Sequence, residues 1–155
     1  MQVKFLSPVR IVVHMMLAVI LLLSASGCGK KADPIPPRVV LPPPVVDLKT
    51  ESVSGGIALV WSVTGSGVDA GSFKILRSVT VDAGQACPAC PQDYRPFLTV
   101  KLTDNRLQPM GEKTFRYLDM EVRDGGYYSY RIAVCNRTGQ CSADSNESGT
   151  IRKER

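Results

Sequence analysis

Between Tyr128 and Val134 a large side chain falls on every second residue, Tyr128, Tyr130, Ile132 and Val134. A period of two admits a strand and excludes a helix. A second run, Ile57, Leu59, Trp61 and Val63, repeats the pattern with Ala58, Val60 and Ser62 between. One face of each strand must then be buried. Phe73, Ile75 and Arg77 alternate next, followed by Phe97-Leu98-Thr99-Val100-Lys101-Leu102 and by Thr114 to Leu118, with Gly65, Gly67 and Gly71 marking a turn. After Val45 no helical apolar periodicity competes. The expectation is an all-β domain of about seven short strands, a number that suits two packed sheets.

The chain has 155 residues, enough for one domain and its tails, since compact domains run to about 100–150. The tails have their own character. Lys4 and Arg10 precede an apolar stretch from Ile11 to Leu23, broken only by His14 and ending in small residues. This is the form of a signal peptide, and it is short for a membrane span, which takes about 20 apolar residues. Ala25-Ser26-Gly27-Cys28 resembles a bacterial lipobox, which implies cleavage before Cys28 and a diacylglycerol on its sulfur. Leu23 stands further back than the leucine of the common pattern. Two or more acyl chains anchor stably, at about 0.8 kcal/mol per buried methylene. By resemblance to the enterobacterial sorting pattern, Gly29 points to the outer membrane.

From Gly29 to Pro44 the composition changes, with Pro34, Pro36, Pro37, Pro42, Pro43 and Pro44 interrupting short apolar pieces. Proline removes the amide donor and pushes its predecessor toward extended backbone, so a polyproline-like spacer is expected. The expected organisation is a signal peptide over 1–27, a lipidated N-terminus and tether over 28–43, and the domain over 44–152. The formal net charge of +5 includes Lys4 and Arg10, which the signal peptide would take with it. The remaining balance is weak and spread out, with no basic cluster interleaved with aromatics, and gives nucleic-acid binding little support.

From about Pro43 to Ile151 the chain resembles a fibronectin type III domain. The residues that carry the resemblance are Pro44 and Leu48 in a first strand, Ile57-Ala58-Leu59-Val60-Trp61 in a second, and Phe73-Lys74-Ile75-Leu76-Arg77 in a third. Phe115-Arg116-Tyr117-Leu118-Asp119 and Gly126-Tyr127-Tyr128-Ser129-Tyr130-Arg131-Ile132 follow, leading to Asn136 and Gly139. A tryptophan on the second strand favours this family over immunoglobulin domains. The resemblance implies a seven-stranded β-sandwich and a structural role for Tyr128, whose hydroxyl would bond upstream backbone as a tyrosine corner.

Five cysteines divide into Cys28, which lipid would claim, and two close pairs, an even remainder that suits an oxidising compartment. Cys135 would end the sixth strand and Cys141 begin the seventh, so a disulfide across that hairpin is expected. Cys87-Pro88-Ala89-Cys90 reads first as a disulfide staple, then as a redox dithiol, then as half of a metal site. Pro88, Pro91 and Gly84 argue for an irregular loop, whereas redox motifs usually open a helix. In the fibronectin topology the two pairs lie at opposite ends, too far apart for one zinc ion.

The single histidine, His14, lies in the signal segment, so the usual triads are absent and no catalytic residue is assigned. Asp119, Glu121 and Asp124 read as solvated turn residues. No cofactor, metal or small-molecule substrate is expected. The leading expectation is a non-enzymatic binding or assembly module held at the envelope membrane by lipid, with a protein or glycan partner met by exposed loops. The first candidate is the insertion from Asp82 to Pro96, with Tyr94, Arg95 and the adjoining Phe97 as contacts, and the next is Arg137 at a hairpin tip. Two alternatives stand beside it. One is thiol-disulfide chemistry at Cys87 and Cys90. The other is an accessory role in lipopolysaccharide-translocon assembly, on a faint resemblance of Cys28-Gly29-Lys30-Lys31 and the following prolines to small lipoproteins of that machinery.

Overall fold

A computed structural model describes residues 8–24, 40–65 and 70–153. The expected lipidation site Cys28 and most of the tether, including Gly29 and Pro34 to Pro37, lie outside the described residues. The chain divides into two units, 1–38 and 39–155. In the first, α1 (Pro8–Ser24) covers the apolar stretch. No helix among the described residues is long and apolar enough to cross a membrane.

Among its described residues the second unit holds eight strands: β1 (Lys49–Val53), β2 (Gly56–Ser62), β3 (Ala70–Thr80), β4 (Arg95–Lys101), β5 (Leu107–Pro109), β6 (Thr114–Asp119), β7 (Tyr127–Asn136) and β8 (Ser148–Ile151). They form two four-stranded antiparallel sheets, ordered β1-β2-β6-β5 and β4-β3-β7-β8. The alternating residues read from the sequence fill the space between them. Ile57, Leu59, Trp61, Phe73, Ile75, Tyr130, Ile132 and Val134 are all at most 1% exposed. The Trp61 and Phe73 rings meet edge to face at 5.1 Å, and Phe115 lies 5.0 Å from Phe73, contacts worth about 0.5–1.5 kcal/mol each beyond their burial.

Three differences from the seven-strand expectation have local causes. Pro44 and Leu48 precede β1 instead of lying in it, and the Leu48 backbone is bonded by the Asn146 side chain. The added strand β5 is three residues long and pairs only with β6, too short to show alternation. The last strand begins at Ser148 rather than Cys141, which makes an isolated bridge with Cys135. Between them, serine side chains take over the ladder. Ser142 donates its amide to the Val134 carbonyl while its hydroxyl accepts from the Val134 amide, and Ser145 does the same at Ile132. Every β7 amide that a regular strand would satisfy there still finds a partner, as buried backbone requires.

The register sorts the loops into two poles. Ile57 lies opposite Asp119, and Thr80 opposite Tyr127, so the β1–β2 turn, the β3–β4 loop and the β6–β7 turn share a distal pole. Lys49 lies opposite Val60, and Ser62 donates its amide to Asp47. The chain therefore comes into the sandwich at the other, proximal pole, beside the β7–β8 hairpin. Val45 and Leu48 are its first core residues, at 1% and 3% exposure. The Asn146 side chain grips Leu48 by both backbone groups, accepting from its amide at 2.9 Å and donating to its carbonyl at 3.0 Å.

Candidate partner-binding site

The distal pole is shaped by a break in the alternation of β4. Ile75 pairs with Leu98 but Leu76 pairs with Pro96, so Phe97 is an extra, bulged residue. A bulge places consecutive side chains on one face and tolerates a proline that a central strand would reject. Phe97 and Leu98 accordingly both pack against the core. The Arg77 guanidinium lies 3.8 Å above the Phe97 ring.

Arg77 is held from behind by Asp119, an acid whose place in the sequence suggests a solvated turn. Asp119 is fully buried. It accepts from Arg77 Nη1 at 2.8 Å, from the Tyr130 hydroxyl at 2.8 Å and from the Glu121 amide at 2.9 Å. Three donors on one carboxylate compensate its desolvation. The signal was the parity of β6: Asp119 falls in step with the buried Tyr117, and Arg77 in step with Phe73 and Ile75. An arginine on an inward face calls for a buried acid.

The loop from residue 81 to 94 is irregular and tied down at four points. A single 3-10 turn, Ala83–Gln85, is capped by Asp82, which accepts from the Gly84 amide. The Ala83 amide donates to the Gly125 carbonyl of the β6–β7 turn. Cys87 and Cys90 are joined as a disulfide, and the Gln92 side chain donates to both their carbonyls, at 2.8 and 2.9 Å, while accepting from Ser78. Tyr94 reaches across the outer face of the sheet to Ser129 at 2.6 Å, and Arg131 stacks 4.3 Å from its ring. Glu147 accepts from Ser129 and Arg131. Burial pushes the Tyr94 phenol up to about 12, with the Glu147 carboxylate adding to the effect.

Between this loop and the sheet lies a recess of about 340 Å³, lined by Arg77, Ser78 and Val79 of β3 and by Asp93 and Arg95 to Phe97. The expected contacts divide accordingly. Arg95 stands at the rim, 82% exposed and paired with the exposed Asp93. Phe97 forms the floor. Tyr94 is half-buried and serves as the anchor of the loop, because its hydroxyl and ring are both occupied. Arg137 is exposed in the β7–β8 hairpin at the proximal pole and does not join the other three. Cys135 and Cys141 are also bridged. The two disulfides sit at opposite poles, and no cluster of three or more metal-ligating side chains occurs among the described residues.

The ladder order β1-β2-β6-β5 facing β4-β3-β7-β8, with tryptophan on β2 and a tyrosine corner on β7, decides the class. In that corner the Tyr128 hydroxyl accepts from the Arg123 amide at 2.8 Å.

The fold is fibronectin type III-like.

No protein-family model and no curated protein matches the sequence. Among solved structures, the chain is similar to a Fn3-like protein from Clostridium thermocellum. Identity is 17% and the TM-score 0.47, over 75% of this chain and 98% of that one. It is also similar to the pectate lyase Pel3 from Pectobacterium carotovorum, at 14% identity and a TM-score of 0.41, over 68% of this chain and 26% of that one. The fibronectin type III-like assignment rests on strand order and register.

Proposed function

We propose that this chain is a lipid-anchored envelope protein whose fibronectin type III-like sandwich is a non-catalytic binding module, meeting its partner at the distal pole. The observation that carries this reading is the opposition of the poles. The chain comes in beside Leu48 and Asn146, and the stapled loop with its recess lies at the far end of the strands. A lipid on Cys28, in line with the lipobox-like Ala25-Ser26-Gly27-Cys28, would tether the sandwich through the chain that comes in at the proximal pole, the end opposite the recess. Gly29 after that cysteine favours the outer membrane. Loops fixed on a rigid scaffold are the usual carriers of recognition, and this one is fixed by a disulfide, the Gln92 amide and the Tyr94 anchor.

Intact-mass spectrometry of the membrane-extracted protein tests the anchor, with an acylated N-terminus at Cys28 expected and an unmodified chain overturning it. A photo-crosslinking residue at position 81, beside the recess, tests the contact pole in living cells against the same residue at position 137. One discrete adduct from position 81 and none from 137 is expected. The reverse pattern removes the distal pole from consideration.

The exposure of both Cys87 and Cys90 supports a second reading, thiol-disulfide exchange at the loop. A reduction potential below about −300 mV would place the bond among inert structural disulfides and end that reading.

A further inference from the structure

We infer that the free edge of β4 is a strand-addition site for an extended peptide with an acidic residue at each end, a proposal that rests on the distal-pole reading above and names its partner's chemistry. Among the described residues β4 pairs with β3 alone, so its other side presents unpaired backbone groups, the template that strand addition uses. The recess opens beside the Arg95 end of the strand.

The charges on this edge choose the occupant. Arg95 and Lys101 bound β4 and are exposed, and no acid lies between them. Two copies of β4 paired antiparallel would bring the Arg95 end of each beside the Lys101 end of the other, and like charges brought together there are destabilising. The same two cations favour an incoming strand whose acids fall opposite them. Arg95 holds Asp93, and exposed ion pairs of that kind are weak, so an incoming carboxylate can displace it. The middle of the strand, Leu98-Thr99-Val100, carries neither charge nor proline and is open to pairing.

The test uses the full chain in detergent and a capped peptide of alternating valine and threonine with a glutamate at each end, its binding followed by titration calorimetry. Saturable binding is expected, weakened about tenfold when lysines replace the glutamates. The variant Arg95→Glu with Lys101→Glu, checked for an unchanged thermal melt, is expected to reverse that preference, and Asp93→Asn to strengthen binding of the acidic peptide. N-methylation of alternate peptide amides is expected to abolish binding. Equal binding of the methylated peptide would show that charge alone is being read and would overturn strand addition. Absence of binding by the acidic peptide would also overturn it, and a crosslink from position 81 in the same strain would leave the distal-pole reading standing.

Discussion

Tyr128 and Tyr94 are both aromatic side chains with an occupied hydroxyl, and they answer to different tests. The Tyr128 hydroxyl is the acceptor for the part-buried Arg123 amide. Tyr128→Phe leaves that donor unpaired and is expected to cost about 1 kcal/mol, read as a lower urea midpoint at unchanged m-value. For Tyr94 the readout is pH. Burial holds its phenol up at about 12, and burial with the nearby Asp119 raises the Tyr130 phenol as well, whereas both ionise near about 10 in an unfolded chain. The fold binds these protons more tightly than the unfolded chain does. Their contribution is therefore complete below pH about 10 and is lost as pH rises toward and beyond 12. Melting temperature is expected to fall over that range, less steeply in Tyr94→Phe; identical slopes in the two proteins would contradict the assignment. At this scale the sequence was informative where a residue type fits one structural role, as with Tyr128. It was misleading where a charged residue stood at a core position. Asp119 looked like a turn acid because turn acids are common, and only its step with Tyr117 marked it as inward.

Elements were legible in proportion to their alternation. β2, β3 and β7 could be read from their periodicity because each buries one face for most of its length. β4 keeps its place but hides its bulge, since an extra residue at Phe97 shows in sequence only as two large side chains in a row. β5 has no period at all, and the gap before β8 is bridged by serine hydroxyls whose composition reads as loop. The recess was legible only in part for the same reason: Arg95 lies in the insertion and Phe97 directly after it, but Arg77, which stacks on Phe97, belongs to a core strand. One element-scale contact carries a prediction. On the outer face of β8 the Tyr127 ring lies over Gly149, and a β-carbon there would overlap the phenol. Gly149→Ala is expected to cost about 1–3 kcal/mol by overpacking, and a double-mutant cycle with Tyr127→Leu to show strong non-additivity. Simple addition of the two effects would mean that the ring does not rest on that glycine.

At the scale of the whole sandwich the two disulfides report on separate poles. Cys87–Cys90 closes a turn of the distal loop, and Cys135–Cys141 closes the proximal hairpin. Both rings are small, so neither bond constrains the whole unfolded chain strongly. Replacing Cys87 and Cys90 by serine is expected to raise amide hydrogen exchange around Ala83 and Cys90 while β7 stays protected, and replacing Cys135 and Cys141 to raise it around Asn136 and Gly139 instead. Loss of protection across both poles in either variant would show that the sandwich opens as one unit. The separation of the poles also has a mechanical side. Traction applied between the distal loop and the chain preceding Leu48 would run along the strands, whereas the ladder bonds of antiparallel sheets lie across them. Such a load shears many bonds at once instead of peeling them in turn, and the grip of Asn146 on both backbone groups of Leu48 stands where the force would first arrive.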